Sequence, residues 1–184
     1  MSIKHFFTLI LVLVFSACST TPKKKPFSGV SISEVFTDSL SIRAIVPQDA
    51  SSVWFAANKG VVGLIANKTP KLVTVQYDKK PLHFRAIAKT TSAVFILSID
   101  TPAVLYKIDI KDNEATAMQE VYLETGAGVF YDAISFWNDT EGIAMGDPID
   151  GCLSIIITRD GGNSWTKLPC DNLPDIVAGY HRVT

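Results

Sequence analysis

Three positions, Arg43, Arg85 and Asp132, are the strongest candidates for ligand chemistry in this sequence. Each is followed by Ala-Ile, and the three segments recur at similar spacing. If they begin equivalent strands, the three side chains ring one mouth of a central channel. A guanidinium group can hold a carboxylate through two parallel hydrogen bonds, so the arginines predict weak, salt-dependent binding of an acidic sugar or another carboxylate. The alternative is a structural network in which Asp132 pairs with both arginines and closes the channel.

Other catalytic or metal chemistry is sparse. His83 and His181 are far apart in the sequence and lack accompanying ligands. Asp147 and Asp150 in GDPIDG could form a calcium loop, but Asp-Pro and Asp-Gly pairs are explained more simply as turns. There is no glycine-rich nucleotide loop, no serine nucleophile elbow and no catalytic motif around a cysteine. The sequence therefore predicts no catalytic residue, no metal and no cofactor.

The elements that would position these residues are short apolar segments in a threefold repeat. Each Ala-Ile segment is followed by three further apolar runs with turn residues between them. Four strands in roughly 40 to 50 residues are typical of a β-propeller blade, and no long 3.6-residue periodicity predicts a helix. We expect an all-β, incomplete propeller of about three four-stranded antiparallel blades. The predicted blades cover residues 41–76, 83–123 and 130–169.

The third repeat ends in a turn with a recognisable motif. Its pattern, [ST]-x-D-x-G-x-x-W, is formed by Thr158, Asp160, Gly162 and Trp165. The motif separates the apolar run LSIIIT from SWTKL, which predicts a β-hairpin. We expect the Asp160 carboxylate to accept hydrogen bonds from the turn and Trp165 to bury its ring between sheets. Thr158 would cap the preceding strand, so the motif has a structural role.

This motif resembles the Asp-box of BNR-repeat proteins, a β-propeller group that includes the sialidases. The motif lies in a wider context that is similar to bacterial exported propellers labelled sialidase-like or oxidoreductase; this context is FYDAISFW followed by GDPIDG and TRDGGNSW. The chain looks like the N-terminal part of such a propeller. The resemblance implies a tyrosine nucleophile, an acid/base carboxylate and an arginine cluster. Because Arg159 lies in the Asp-box and Arg182 lies near the end of the sequence, too few arginines remain for catalysis by this chain alone.

These observations favour a non-catalytic binding or scaffold module. The alternative is a fragment of a sialidase-like glycoside hydrolase whose catalytic residues lie largely outside this chain. Any activity would be glycosidase-like, since a nucleotide-binding motif that an oxidoreductase needs is missing. The net charge of −1 makes nucleic acid an unexpected partner. The expected partners are a glycan or carboxylate ligand, or a protein of the cell envelope.

The first 28 residues have the pattern of an export signal followed by a linker. Residues 6–15 form an apolar run that is too short to span a bilayer. Small residues precede Cys18, and residues 1–18 resemble a lipoprotein signal, which implies acylation of Cys18 and anchoring in the bacterial envelope, at the periplasm or outer membrane. The alternative is an ordinary cleaved signal. Residues 19–28 are expected to form a polar tether.

Cys152 and Cys170 are the cysteines that remain after Cys18. If Thr158 pairs with Ser164 across the Asp-box turn, the same register places the two cysteines opposite each other. An exported protein would then form a disulfide between them. The alternatives are two small buried thiols, or a register offset by one that turns the side chains to opposite faces.

Both ends of the repeat array are incomplete in this sequence. Residues 29–36 could form a closing strand, and the residues after Leu168 look like a loop into another blade. We therefore expect the front portion of a longer protein, either truncated or divided by a frameshift, or a chain that assembles with another copy. An uncovered third blade predicts self-association.

Overall fold

The structure is a computed structural model that describes residues 29–35, 39–112 and 114–174. The chain divides into two compact units, residues 1–34 and residues 35–184. In the first unit, the described residues 29–34 form neither helix nor strand. The segment considered for a closing strand therefore forms no strand over its described part, residues 29–35. Val30 and Ile32 are exposed there.

The first sheet of the second unit is an antiparallel meander. Its four strands are hydrogen-bonded in chain order. A short hairpin, which the repeat did not predict, connects this sheet to the next one. The strands are β1 (Ile42–Pro47), β2 (Ser52–Ala57), β3 (Val61–Ala66) and β4 (Thr69–Thr74), and the hairpin consists of β5 (Gln76–Tyr77) and β6 (Lys80–Pro81).

The second and third sheets repeat the same meander. A 3₁₀ turn at Cys170–Asn172 follows the third sheet. The second sheet consists of β7 (Phe84–Lys89), β8 (Ala93–Ser98), β9 (Ala103–Lys111) and β10 (Glu114–Glu124). The third consists of β11 (Tyr131–Phe136), β12 (Gly142–Ile149), β13 (Cys152–Thr158) and β14 (Thr166–Lys167).

The three sheets are blades of a β-propeller, and their first strands lie side by side. β7 contacts β1 on one side and β11 on the other, so the first strand of each sheet is its innermost strand. The all-β, four-stranded antiparallel architecture predicted from the repeat is confirmed. The three innermost strands position residues 43, 85 and 132.

Two cores hold neighbouring sheets together. Trp54 and Val62 of the first sheet pack with Ile96 of the second, and Phe95 of the second sheet packs with Ile156 of the third. Because side chains alternate along a strand, β8 contributes to both cores and is buried along its whole length. Each fully buried large apolar side chain stabilises the fold by about 1.5 to 3 kcal/mol. Among the described residues, no helix is long and apolar enough to cross a membrane.

Candidate functional site

Arg43, Arg85 and Asp132 each occupy a β-bulge on an innermost strand. In the β1–β2 pairing, Ile42 pairs with Ala57 and Ala44 with Ala56, so no residue of β2 lies opposite Arg43. The β7–β8 and β11–β12 pairings shift in the same way at Arg85 and Asp132. A bulge changes the direction of a side chain relative to its neighbours on the strand. All three side chains are exposed.

The arginines do not form the predicted network with Asp132. Within the described ranges, no ion pair joins Asp132 to Arg43 or Arg85, and the expectation of an Arg–Asp network closing the channel is wrong. The Arg85 guanidinium instead lies over the ring of Phe130, 5.6 Å from its centroid. Asp132 is exposed to solvent, where an ion pair gains little over hydration, whereas the aromatic ring offers a cation a fixed platform.

Two side chains hold the turn of the motif that resembles an Asp-box, residues 158–165, which we call the Asp-box turn. The Thr158 hydroxyl donates to Asp160 Oδ1 at 2.8 Å and accepts the N–H of Gly162 at 2.9 Å. The Asp160 carboxylate accepts the Ser164 N–H at 3.0 Å and the Ser164 hydroxyl at 2.6 Å. These bonds lower the pKa of Asp160 to about 2, the Ser164 hydroxyl being the largest cause. Both oxygens of the carboxylate therefore accept hydrogen bonds from within the turn.

The same turn packs against the neighbouring sheet. A Cβ on Gly162 would lie 2.2 Å from the Phe95 ring, so this position has room for glycine only. The Trp165 ring is buried and meets Phe95 edge-on, with centroids 6.3 Å apart. It meets Phe136 in the same way at 5.7 Å. The Asp-box thus holds the third sheet against the second.

Cys152 and Cys170 are joined by a disulfide, with their Cα atoms 5.6 Å apart. The register that suggested this pairing is wrong, however. Ile157 pairs with Thr166 and Ile156 with Lys167, one residue out of step with a Thr158–Ser164 pair. The hydrogen-bonded Asp-box loop extends from Thr158 to Trp165. It contains one residue more than the predicted register allows, which shifts the pairing of β14 by one. The cysteines meet because Cys170 begins the 3₁₀ turn after the strand has ended.

A partly buried polar cluster, which the sequence did not predict, surrounds Glu124 at the end of β10. The hydroxyls of Tyr122 and Tyr131 donate to Glu124 Oε2 at 2.6 and 2.8 Å. The Lys167 ammonium on β14 donates to Glu124 Oε1. The signal was present in the repeat: Tyr131 occupies the place of Ile42 and Phe84, and a phenol buried at an apolar position needs a hydrogen-bond partner.

Burial and hydrogen bonding shift the pKa values of the groups in this cluster. Burial, followed by the bond to Glu124, raises the pKa of Tyr131 far above its usual range, and the same causes raise the pKa of Tyr122. Burial also raises the pKa of Glu124, but the bonds from Lys167, Tyr122 and Tyr131 outweigh it and leave the pKa lowered. Tyr131 is completely buried, and the bonds to Glu124 connect the second sheet to the third.

The remaining candidates do not converge on a site. Within the described ranges, no group of three or more His, Cys, Asp or Glu side chains is placed to hold a metal ion. His83 is exposed, and His181 and Arg182 lie outside the described residues. Asp150 has a φ of 51° and begins the two-residue turn between β12 and β13.

A cleft of about 360 Å³ lies between the outer parts of the first and second sheets. Its lining is mainly apolar and includes Trp54 and Met118. Lys71 and Glu114, both cleft residues, form an exposed ion pair at 3.1 Å. Neither Arg43 nor Arg85 lines this cleft.

Comparison with known proteins establishes the fold alone. No protein-family description matches the sequence, and no curated protein matches it. The solved structures that resemble it include YCF48 bound to D1 peptide, with a TM-score of 0.54 and 14% identity. YCF48 is a β-propeller. The similarity covers 70% of this chain and 40% of the YCF48 chain, so this sequence spans less than half the length of that protein.

Proposed function

We propose that this protein is an exported, lipid-anchored β-propeller module that binds carboxylate-bearing ligands without catalysis. The observation that carries the proposal is the placement of Arg43 and Arg85. Both guanidinium groups are exposed at equivalent bulges on neighbouring innermost strands. In the described part of the chain, neither forms an ion pair with a carboxylate. A ligand carboxylate would supply the missing anion.

The ligand that we favour is an acidic segment of another envelope protein. YCF48, which shares the fold, was solved bound to a peptide, and peptides carry carboxylates on side chains and at the C-terminus. Arg85 is partly pre-organised by its contact with Phe130, which reduces the conformational entropy lost on binding. An acidic glycan presents the same carboxylate chemistry and is the second ligand to be tested.

Peptide binding by variants tests this proposal. Fluorescence anisotropy would compare an acidic peptide, its neutral glutamine counterpart and an acidic glycan against the wild type and an Arg43→Ala, Arg85→Ala double variant. We expect the wild type to bind the acidic peptide, and the double variant to lose at least tenfold in affinity. Arg159→Ala is the matched control, because Arg159 is an exposed arginine that already pairs with Glu141 at 2.7 Å.

The outcomes separate the alternatives. The glycan could bind more strongly than the peptide, with its binding lost in the double variant. This result would support the same arginine site but make the ligand an acidic glycan. Equal binding of the acidic and neutral peptides, or equal binding by wild type and double variant, would refute the carboxylate site. Binding should weaken steeply as salt is added, because the contact lies at the surface.

Anchoring at Cys18 is the second part of the proposal. Cys18 lies outside the described residues, so the support is the apolar run and small residues that precede it. Stable anchoring needs more than one acyl chain, which a triacylated cysteine would supply. Cys18→Ala should move the protein from the membrane fraction to the soluble fraction. Mass spectrometry that finds an unmodified N-terminus at another residue would exclude lipidation.

A further inference from the structure

The innermost strands carry charges of both signs in a fixed order. β7 lies between β1 and β11, so the bulge residues follow one another as Arg43, Arg85 and Asp132. Two positive charges are therefore followed by a negative charge at equivalent backbone positions. The carboxylate site proposed above uses the two arginines and gives Asp132 no role.

Arg85 and Asp132 do not pair, although their strands are neighbours. Cα atoms of β7 and β11 approach within 8 Å of each other, yet no ion pair joins the two side chains. The Arg85 guanidinium lies over the ring of Phe130 instead. An ion pair between two exposed side chains is weak, so a ligand can engage each charge without first breaking a strong contact.

The backbone that precedes Asp132 is held in place. Tyr131 is completely buried, and its hydroxyl donates to Glu124 at 2.8 Å. The Phe130 carbonyl accepts a backbone N–H of β12 at 2.8 Å. Gly146 makes this approach possible, because a Cβ there would lie 2.2 Å from the Phe130 carbonyl oxygen. The exposed Asp132 carboxylate therefore extends from an ordered backbone, which reduces the entropy lost on binding.

Arg85 is presented in a similar way. Its neighbours on β7, Phe84 and Ala86, are both buried, whereas Arg85 itself is exposed. The contact with Phe130 restricts its guanidinium further. Two opposite charges are thus displayed from packed strands of adjacent sheets.

We propose that the ligand of this surface carries a cationic group beside its carboxylate, with the carboxylate at Arg85 and the cation at Asp132. The cation requirement rests on the carboxylate binding proposed above, and Asp132 becomes the residue that sets specificity. In an extended peptide, side chains two residues apart lie on the same face, about 7 Å from each other. This separation fits strands whose Cα atoms approach within 8 Å, so the ligand is a peptide segment of the form Glu-x-Lys.

Fluorescence anisotropy with the full chain at low salt tests the cation requirement. A labelled peptide with Glu-x-Lys is compared with one that carries Glu-x-Gln, which keeps the acid and removes the cation. We expect wild type to bind Glu-x-Lys about three to five times more tightly, as for one exposed ion pair. Asp132→Asn should bind both peptides equally. Asp112→Asn is the matched control and should keep the preference, since Asp112 is an exposed acid in the turn between β9 and β10.

Charge reversal separates a direct contact from an effect of net charge. Asp132→Lys should bind a Glu-x-Glu peptide more tightly than Glu-x-Lys. Asp112→Lys makes the same change in net charge away from the innermost strands. It should retain the wild-type order of affinities.

The outcomes distinguish failure of this inference from failure of the carboxylate site. Wild type could bind Glu-x-Lys and Glu-x-Gln equally, with both lost in the Arg43→Ala, Arg85→Ala double variant; the arginine site would then stand and the role of Asp132 would be overturned. A preference for Glu-x-Lys that persists in Asp132→Asn would also overturn that role. Absence of binding by wild type, or equal binding by wild type and the double variant, would refute both.

Discussion

At the scale of single residues, the Asp-box depends on two oxygen-bearing side chains with different exposure. Thr158 is buried and its hydroxyl both donates and accepts. Asp160 is exposed, yet its carboxylate accepts hydrogen bonds from the Thr158 hydroxyl and from the N–H and hydroxyl of Ser164. The Asn163 side-chain amide donates to its backbone carbonyl. Removing either side chain should loosen the turn for a different reason.

Thr158→Val should destabilise the protein by about 1 to 3 kcal/mol, the cost of leaving a buried donor without its partner. The valine methyl fills the space of the hydroxyl but cannot accept the Gly162 N–H. Thr166→Val is the control, because Thr166 is exposed on β14. Urea unfolding monitored by tryptophan fluorescence measures both variants. Equal losses in the two variants would contradict a specific role for the Thr158 hydroxyl.

Asp160 should make the stability fall in acid. Its pKa is lowered in the folded protein from 3.8 to about 2, so the folded state favours the charged carboxylate. The stabilisation is fully present above the unfolded pKa and is lost as the pH falls through the folded pKa. Between about pH 4 and pH 2, the unfolding free energy of wild type should therefore decrease more steeply than that of Asp160→Asn. Urea denaturation at each pH gives the unfolding free energy of both proteins. If it falls equally with pH in the two proteins, Asp160 does not cause the acid sensitivity.

At the scale of elements, two glycine substitutions distinguish the stability cost of disturbing the contact between the Asp-box turn and Phe95 from the cost of a left-handed backbone. Gly162 and Gly151 have similar φ values of 75° and 81°, but a Cβ meets the Phe95 ring only at Gly162, while Gly151 has open space. Gly151→Ala should cost about 1 to 2 kcal/mol from the left-handed backbone alone.

Gly162→Ala should cost a further 1 to 3 kcal/mol or so, because the methyl group would displace Phe95. Thermal unfolding of both variants by calorimetry measures the difference. Similar melting temperatures would mean that the turn and β8 are not tightly packed.

The disulfide between Cys152 and Cys170 joins the start of β13 to the end of the hairpin. Closing a loop with a sequence separation of 18 should stabilise the fold by about 3 kcal/mol in a chain-entropy treatment. A Cys152→Ser, Cys170→Ser variant should lose this amount, and reduction of the wild type should reproduce the loss. Thiol titration of the denatured, unreduced wild type should detect neither cysteine; two reactive thiols there would exclude the bond.

Much of the architecture could be predicted from sequence, because strand spacing and the Ala-Ile repeat are local signals. The register of β13 and β14 could not, since it depends on how many residues the Asp-box loop uses once Thr158 and Asp160 are hydrogen-bonded. The repeat shows that Tyr131 needs a hydrogen-bond partner, but it does not identify Glu124 as that partner. The identity of this partner, and of Phe130 as the partner of Arg85, is set by which side chains of neighbouring sheets meet.

At the scale of the whole molecule, the proposed carboxylate binding depends on the side-by-side arrangement of the innermost strands. The bulges recur in all three sheets, so Arg43 and Arg85 are presented by equivalent backbone rather than by flexible loops. The Glu124 cluster and the Asp-box hold the second and third sheets together. The fold therefore supplies a packed frame that presents the two exposed arginines.

The most direct test of the central claim is a double-mutant cycle between the ligand carboxylate and Arg43. Isothermal titration calorimetry would measure an acidic peptide and its amide counterpart against wild type and Arg43→Ala. We predict that the acid binds wild type more tightly than the amide does, and that this preference falls by at least tenfold in the variant. The account would be contradicted if the preference for the acid were the same in both proteins.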